Sequence, residues 1–262
     1  MKVHRTAIVD EKAQLGADVE IGPYTIVGAG AVIGEKCVIQ SHVVIEGPVQ
    51  MGTGNFIGHG AIIGASPQDL GFQAQTKSRV EIGNANVIRE HCTIHRGATE
   101  ASATVLGDGN FLMVGVHLGH DCRIGNGVVI TNNSLLAGHV RVDDRAVIGG
   151  GSRFHQSIRI GRVTMAEGRF TKNLPPFLIA AKNYVFGVNI IGLRRTGFSA
   201  EERDEIKRAF KLLYKSGLNT RQACEKAAEL EFGPVGREFF DFVADAGKRG
   251  IVSYSSNSEG ED

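Results

Sequence analysis

The residues best able to move a proton lie close together in the middle of this chain. His117, His120 and Asp121 fall in the segment GVHLGHDC, His139 in LAGHV, and His155 with Gln156 in RFHQS. Imidazole takes up and returns a proton near neutral pH, and an adjacent carboxylate can hold the ring and stabilise its cation. The pattern therefore points to general acid–base catalysis, with Asp121 placed to orient His120. A stack of polar residues that merely satisfy turns is the plain alternative. The cysteines offer a second nucleophile. Cys37, Cys92 and Cys122, however, each stand two residues before an aliphatic (Ile39, Ile94, Ile124), in a slot otherwise held by Ala, Val, Thr or Ser. A small buried filler suits that slot better. Four cysteines without CxxC or metal-finger spacing fit a reducing, cytoplasmic chain.

What positions these residues is a beat of six. An aliphatic recurs at every sixth residue from Val9 to Ile63, resumes at Ile82, Ile88 and Ile94, and lapses at Glu100. It then runs from Leu106 through Ile124, Ile130 and Leu136 to Phe154 and Ile160, and glycine often follows directly. A helical period of 3.6 cannot keep that phase. A short strand plus a tight corner can, and three such units close a triangular coil whose turns stack at about 4.8 Å. The chain is thus read as mainly β and resembles the left-handed parallel β-helix of hexapeptide-repeat proteins. The resemblance supplies the handedness.

A period of 18 puts His120, Gly138 and Gln156 on one column, and Asp121, His139 and Ser157 on the next, along an outer edge of the prism. His120 then stands one coil, about 5 Å, from the Gly138 backbone. Metal binding is the rival chemistry. The His pairs His91/His95 and His117/His120 are four and three apart, whereas β-helical carbonic anhydrases use a pair five apart plus a distant third His. Acid–base work, with no metal, is the expectation.

Between Ile63 and Ile82 the apolar beat disappears into GASPQDLGFQAQTKSRVE, which predicts a loop over 64–81 extruded from the prism. Such loops carry function on repetitive scaffolds. The β-helical domain is placed at 1–190 and a C-terminal helical domain at 191–252. Ser199-Ala200-Glu201-Glu202 forms a capping box ahead of a stripe of Ile206, Ala209, Phe210 and Leu213. Thr220 opens a second helix and Pro234 a third. The Ser/Glu-rich tail 253–262 is read as disordered.

Composition narrows the function classes. With 29 basic and 28 acidic residues, net charge is +1, so no bulk field favours nucleic acid or anionic membrane. No apolar run approaches the roughly 18 residues of a membrane span, and Met1–Asp10 lacks the pattern of a signal peptide.

Taken in order, GASPQDL, IHRG, GVHLGHDC, LAGHV and VNIIGLRRTGFS resemble the UDP-N-acetylglucosamine 3-O-acyltransferase family, which opens lipid A synthesis, over nearly the full chain. The resemblance implies His120 as general base on the sugar 3-hydroxyl, Asp121 as its orienting partner and the Gly138 N–H facing the oxyanion. It implies His117, His139, His155 and Gln156 as pocket lining, Gln68 and Asp69 as substrate contacts, and Asn189 and Arg195 as nucleotide contacts. Acyl carrier protein would be the donor, no cofactor would be needed, and the enzyme would be a homotrimer with sites between subunits. Gly71 stands where the family commonly has Lys, and Ile191 where it commonly has an acid. Both departures touch nucleotide-sugar recognition. Seven basic residues, Arg159, Arg162, Arg169, Lys172, Lys182, Arg194 and Arg195, against the single acid Glu167 suggest a docking patch for an acidic carrier protein. An N-acyltransferase or acetyltransferase on an amino sugar, or a non-enzymatic scaffold, are the competing functions.

Overall fold

Most hexads contribute a two-residue strand with one side chain out and one in, and the pair Val38–Ile39 is representative. Three strands make a coil, and the coils stack in parallel to form three long sheets. The computed structural model describes residues 1–255. The first face runs from Lys2–Val3 through Val129–Ile130 to Met165–Glu167. The second runs from Ile8–Val9 through His117–Leu118 to Arg169–Phe170, and the third from Gln14–Leu15 through Arg123–Ile124 to Arg159–Ile160. The aliphatic ladder fills the prism, with Ile39, Ile57, Ile88, Leu112, Ile130 and Ile148 almost wholly inaccessible. Cys37, Cys92 and Cys122 are fully buried beside it, and burial pushes the Cys92 and Cys122 thiols up to about 11 and about 12. They are core filler.

The second residue of many corners takes a left-handed conformation, including Asp18, His42, His91, Asp121, Asn133, His139 and Ser157. Asp, Asn and His tolerate that region better than most L-residues. Part of the polar character of the edges therefore follows from backbone geometry alone.

Two insertions interrupt the stacking, both at the corner between the second and third faces. Strand Arg79–Ile82 pairs with Val49–Met51, so no coil is lost and the segment after Ile62–Ala65 leaves and rejoins at one corner. The lapse of the beat at Glu100 is a second extrusion. Ile82 pairs with Leu106 and Ile94 with Leu118, a register that leaves one extra hexad outside the coil at 96–102. Lys77 N–H donates to Glu100 Oε2 at 3.0 Å, tying the two insertions together.

Beyond Phe170, the strands Leu178–Ala181 and Tyr184–Val188 add an antiparallel hairpin to the first face. Four α-helices follow among the described residues: α1 Ile190–Arg195, α2 Ala200–Tyr214, α3 Thr220–Glu229 and α4 Pro234–Ala244. The Ser199 capping box forms as expected, and Asn219 with Gln222 makes another ahead of α3. Ser253–Tyr254 is a strand paired with Tyr184–Val185. The tail expected to be disordered from Ser253 is therefore ordered at its start, and 256–262 lie outside the described residues.

Candidate active site

The second–third edge collects most of the titratable residues singled out by sequence. His120 and Asp121 form the corner between His117–Leu118 and Arg123–Ile124, Gly138 and His139 the corner one coil on, and Gln156 and Ser157 the corner after that. Stacking at the inter-strand spacing brings them into contact. A Cβ built on Gly138 would meet His120 Nε2 at 2.4 Å, so the imidazole lies directly over the glycine backbone. The Gly138 N–H has no acceptor among the described residues.

His120 Nδ1 lies 2.8 Å from Asp121 Oδ2, with only 13% and 9% of the two side chains exposed. That contact fixes the tautomer, because Nδ1–H donates to the carboxylate and Nε2 keeps its lone pair. Asp121 is itself held from both sides. Its N–H donates to buried Thr104 Oγ1 at 2.8 Å, and its Oδ2 accepts the Ala98 N–H at 3.0 Å. Burial works to raise the Asp121 carboxyl, but hydrogen bonds from His120, Ala98 and Ser102 outweigh it and hold the group below its ordinary value. His139 crosses the His120 ring edge-on at 5.0 Å, and its Nε2 stands 3.8 Å from Asp121 Oδ2.

Behind this pair lies a second imidazole cluster. His117 Nδ1 sits 2.7 Å from Thr93 Oγ1, and its ring meets His95 edge-on at 4.8 Å. Burial, with His95 adding to it, pushes His117 down to about 4. His95 is lowered as well, by burial first and then by His120, with Glu46 opposing. Two imidazoles held neutral by burial therefore sit beside His120.

Gln68 and Asp69 stand exposed on the first insertion, where Asp69 Oδ1 accepts the Gly71 N–H at 2.8 Å. Leu70 beside them is fully exposed. Neither contacts His120 or Asp121 by hydrogen bond or ion pair among the described residues. Arg96 anchors their loop, reaching Ser66 Oγ and the Ala74 carbonyl at 3.4 and 3.3 Å while its guanidinium covers Phe72. His155 lies at the far end of the edge, its Nδ1 3.3 Å from Arg249 Nη1.

Asn189 and Arg195 are elsewhere, at the edge between the third and first faces. The Asn189 side chain is buried and caps α1. Its Oδ1 accepts the Gly192 N–H at 3.0 Å, and its Nδ2 donates to the Val163 carbonyl at 2.8 Å. Ile191 and Arg195 are exposed beside it. A single chain does not bring them to His120.

The basic run from Arg159 to Arg195 does not form one surface, which corrects the expected docking patch. Glu238 takes Arg162 through two contacts of 2.5 and 2.6 Å, and Asp245 takes Arg159 at 3.0 Å. Arg169 is on the second face and Arg194 with Arg195 on α1. Sequence reasoning also missed Ala98, Ser102, Thr104 and Arg96, the residues that steady the site and its loop. The break in the beat at Glu100 was the signal for them.

Beside Asp121 and His139 opens a cleft of about 760 Å³ between the third face and the segment 242–249. The geometry suits proton transfer at an open imidazole nitrogen, next to a free backbone donor, with a cleft for an extended substrate. His120, Asp121 and His139 could equally present three ligand atoms within 4.8 Å of one another to a metal ion, although the short His120–Asp121 hydrogen bond already uses Nδ1.

Known proteins agree with the acyl-transfer reading. Residues 174–252 match the family model described as UDP N-acetylglucosamine O-acyltransferase, domain 2, and residues 103–138 match the bacterial transferase hexapeptide repeat. The UDP-N-acetylglucosamine acyltransferase of Bacteroides fragilis 9343 is similar at 40% identity, covering 95% of this chain and 99% of that one, with a TM-score of 0.91. The Francisella novicida UDP-N-acetylglucosamine acyltransferase is similar at 36% identity, over 99% and 96% of the two chains, with a TM-score of 0.92. The structure from Acinetobacter baumannii is similar at 38% identity, over 95% and 99%, with a TM-score of 0.90. With full-length likeness, a shared left-handed β-helix and an ordered imidazole–carboxylate pair on its edge, this chain belongs to the UDP-N-acetylglucosamine acyltransferase family.

Proposed function

We propose that the chain transfers a 3-hydroxyacyl group from acyl carrier protein to the 3-position of UDP-N-acetylglucosamine or a close analogue, the first step of lipid A synthesis. The observation that carries this reading is the His120–Asp121 contact with Nε2 open above Gly138. His120 Nε2 takes the proton of the sugar 3-hydroxyl as its oxygen attacks the thioester carbon. Asp121 offsets the imidazolium charge, as an acidic partner does in a triad. The Gly138 N–H faces the developing oxyanion, and a donor of that kind is worth most where water is excluded. As the intermediate collapses, the proton on His120 passes to the departing thiolate of the carrier. No cofactor or metal takes part.

The outward side chains support a homotrimer as part of this proposal. On the first face, Val38, Phe56, Val87, Phe111, Val129 and Val147 form an apolar column in strand register. On the second, Ile8, Ile26, Val44 and Ile62 form another. The third face instead presents a mostly polar column, Gln14, Val32, Gln50, Glu81, Val105, Arg123 and Arg141. Turning the first–second edge toward a threefold axis covers both apolar columns. It also sets the His120 edge of one copy across a cleft from the Asn189 and Arg195 edge of the next. In that trimer the neighbouring copy supplies the nucleotide contacts that one chain lacks, and the enzyme acts in the cytoplasm.

The test is mass spectrometry of products from acyl carrier protein thioesters with UDP-N-acetylglucosamine and its 3-amino analogue, with and without a chelator. An O-acylated, chelator-insensitive product is expected. Acylation of the amino analogue alone would favour the N-acyltransferase reading, for which Gly71 and Ile191 speak. Light scattering near the 28.0 kDa of a single chain would end the trimer proposal.

A further inference from the structure

The cleft beside Asp121 contains more positive charge than the structure neutralises. Arg123, Arg141 and Arg159 project from adjacent coils in direct register, Arg123 opposite Arg141 and Arg141 opposite Arg159. Like charges so placed across parallel strands repel. Lys248 and Arg249 face them from the C-terminal segment and line the same cleft.

The acids nearby are already engaged. Asp121 holds His120. Asp143 and Asp245 both face Arg159, at 3.6 and 3.0 Å. Glu238 is paired with Arg162, and Asp144 accepts the Asn126 N–H. Arg123 and Arg141 have neither an ion pair nor a side-chain hydrogen bond among the described residues. An arginine pair that repels itself, beside the reacting atoms and roofed by two more cations, fits a doubly charged, oxygen-rich anion.

We infer that Arg123 and Arg141, with Lys248 and Arg249, bind a phosphoryl group of the acyl donor, namely the phosphate of the phosphopantetheine arm that presents the thioester. This rests on the proposed acyl-carrier reaction. The nucleotide diphosphate is the other phosphate at hand, but one observation favours the donor: the arginine ladder lies on the third face, which the apolar columns leave open to a protein carrier, and not on the face turned to the neighbouring copy's Asn189 and Arg195. Here the chain's own residues fix the donor's phosphate while the thioester reaches past His139 to His120.

The experiment compares R123Q/R141Q with wild type on three donors: acyl carrier protein thioester, acyl-phosphopantetheine and acyl-pantetheine, which lacks the phosphate. The double variant should raise KM for acyl-phosphopantetheine roughly 10- to 100-fold, the equivalent of one lost charge-assisted contact. It should leave KM for acyl-pantetheine and for the UDP-sugar unchanged, and R123K/R141K should recover most of the loss. A rise in the UDP-sugar KM alone would assign the ladder to the nucleotide and overturn the proposal, as would equal effects on all three donors or none. Calorimetric titration of free phosphopantetheine into both proteins reads the cleft without turnover. If wild type binds it and the variant does not, while no donor is turned over, the acyl-transfer reading fails and the phosphate site stands. If neither protein binds it while the donors are turned over, the phosphate site fails.

Discussion

Two edges of this prism carry histidines, and only one of them is built for chemistry. On the first–second edge His42 stacks on Tyr24 at 5.2 Å, His59 Nδ1 meets Ser41 Oγ at 2.8 Å, and the His91 ring covers Gly60. All three imidazoles are exposed, and two of them, on His42 and His91, occupy left-handed corner positions. On the second–third edge His120 is largely covered and faces a carboxylate, and the ion pairs that histidine makes among the described residues are both with Asp121. The difference comes from the insertions. Segment 96–102 brings the Ala98 N–H onto Asp121 and shields it from water. Hexapeptide corners accumulate histidine and aspartate because the backbone accepts them, and an extruded hexad turns one such pair into a shielded, oriented imidazole–carboxylate contact.

The sharpest way to break this contrast is to remove one imidazole from each edge. His120→Ala should lower kcat/KM by roughly 10²–10⁴-fold, the worth of a positioned general base, and leave the protein folded, since stability resides in the aliphatic ladder. His59→Ala should leave turnover unchanged. If His120→Ala retains more than about a tenth of wild-type kcat/KM, the base must be sought at His139 or His155.

Gly138→Ala comes next. The glycine backbone is not in the left-handed region, so alanine fits the local conformation, but its Cβ would lie 2.4 Å from His120 Nε2. The ring must move, and the N–H beneath it loses its line to the reacting carbonyl. A fall of about 10²–10³ in kcat is expected, similar to losing an oxyanion donor, with little change in thermal midpoint. Near-normal kcat would show that the glycine seats nothing.

Sequence made the columns legible because a six-residue beat converts position directly into height on the prism, and His120 over Gly138 came straight from that arithmetic. It could not reveal what secures Asp121. The Ala98 donor is a backbone N–H, which no side-chain identity announces, and one charged residue on the beat looks the same whether a core position lapses or a whole hexad leaves the coil. Ser253–Tyr254 escaped for a related reason, since its order depends on pairing with Tyr184–Val185, far away in the chain. The buried cap made by Asn189 was hidden because an Asn suited to binding and an Asn suited to capping α1 look alike in sequence.

The contrast extends to the edge that bears Asn189. Gly71 and Ile191 are both exposed, and a Cβ on Gly71 meets only Asp69 Oδ1 at 3.4 Å. Gly71→Lys and Ile191→Glu can therefore add charge without disturbing packing. Each should shift KM for the UDP-sugar about tenfold, the scale of one charge-assisted contact, or change the preference between the 3-hydroxyl and 3-amino acceptors. No change in either property would show that neither position reads the sugar.

The smallest effect expected is on stability, and it depends on pH. His117 is pushed from 6.5 down to about 4, mainly by burial, so between those values the unfolded chain binds a proton that the folded chain refuses. Stability that depends on neutral His117 is complete above pH 6.5 and is lost as pH falls toward 4, below which its contribution is flat. His95 is lowered from the same starting value and acts in the same direction. Asp121, lowered from 3.8, loses its contribution only below that value, so the windows do not overlap. The solvent that still reaches His117 limits its share to about 1–2 kcal/mol. His117→Asn should therefore flatten the decline of thermal midpoint between pH 6.5 and 4. Equal slopes for wild type and His117→Asn would mean that burial does not hold this imidazole neutral.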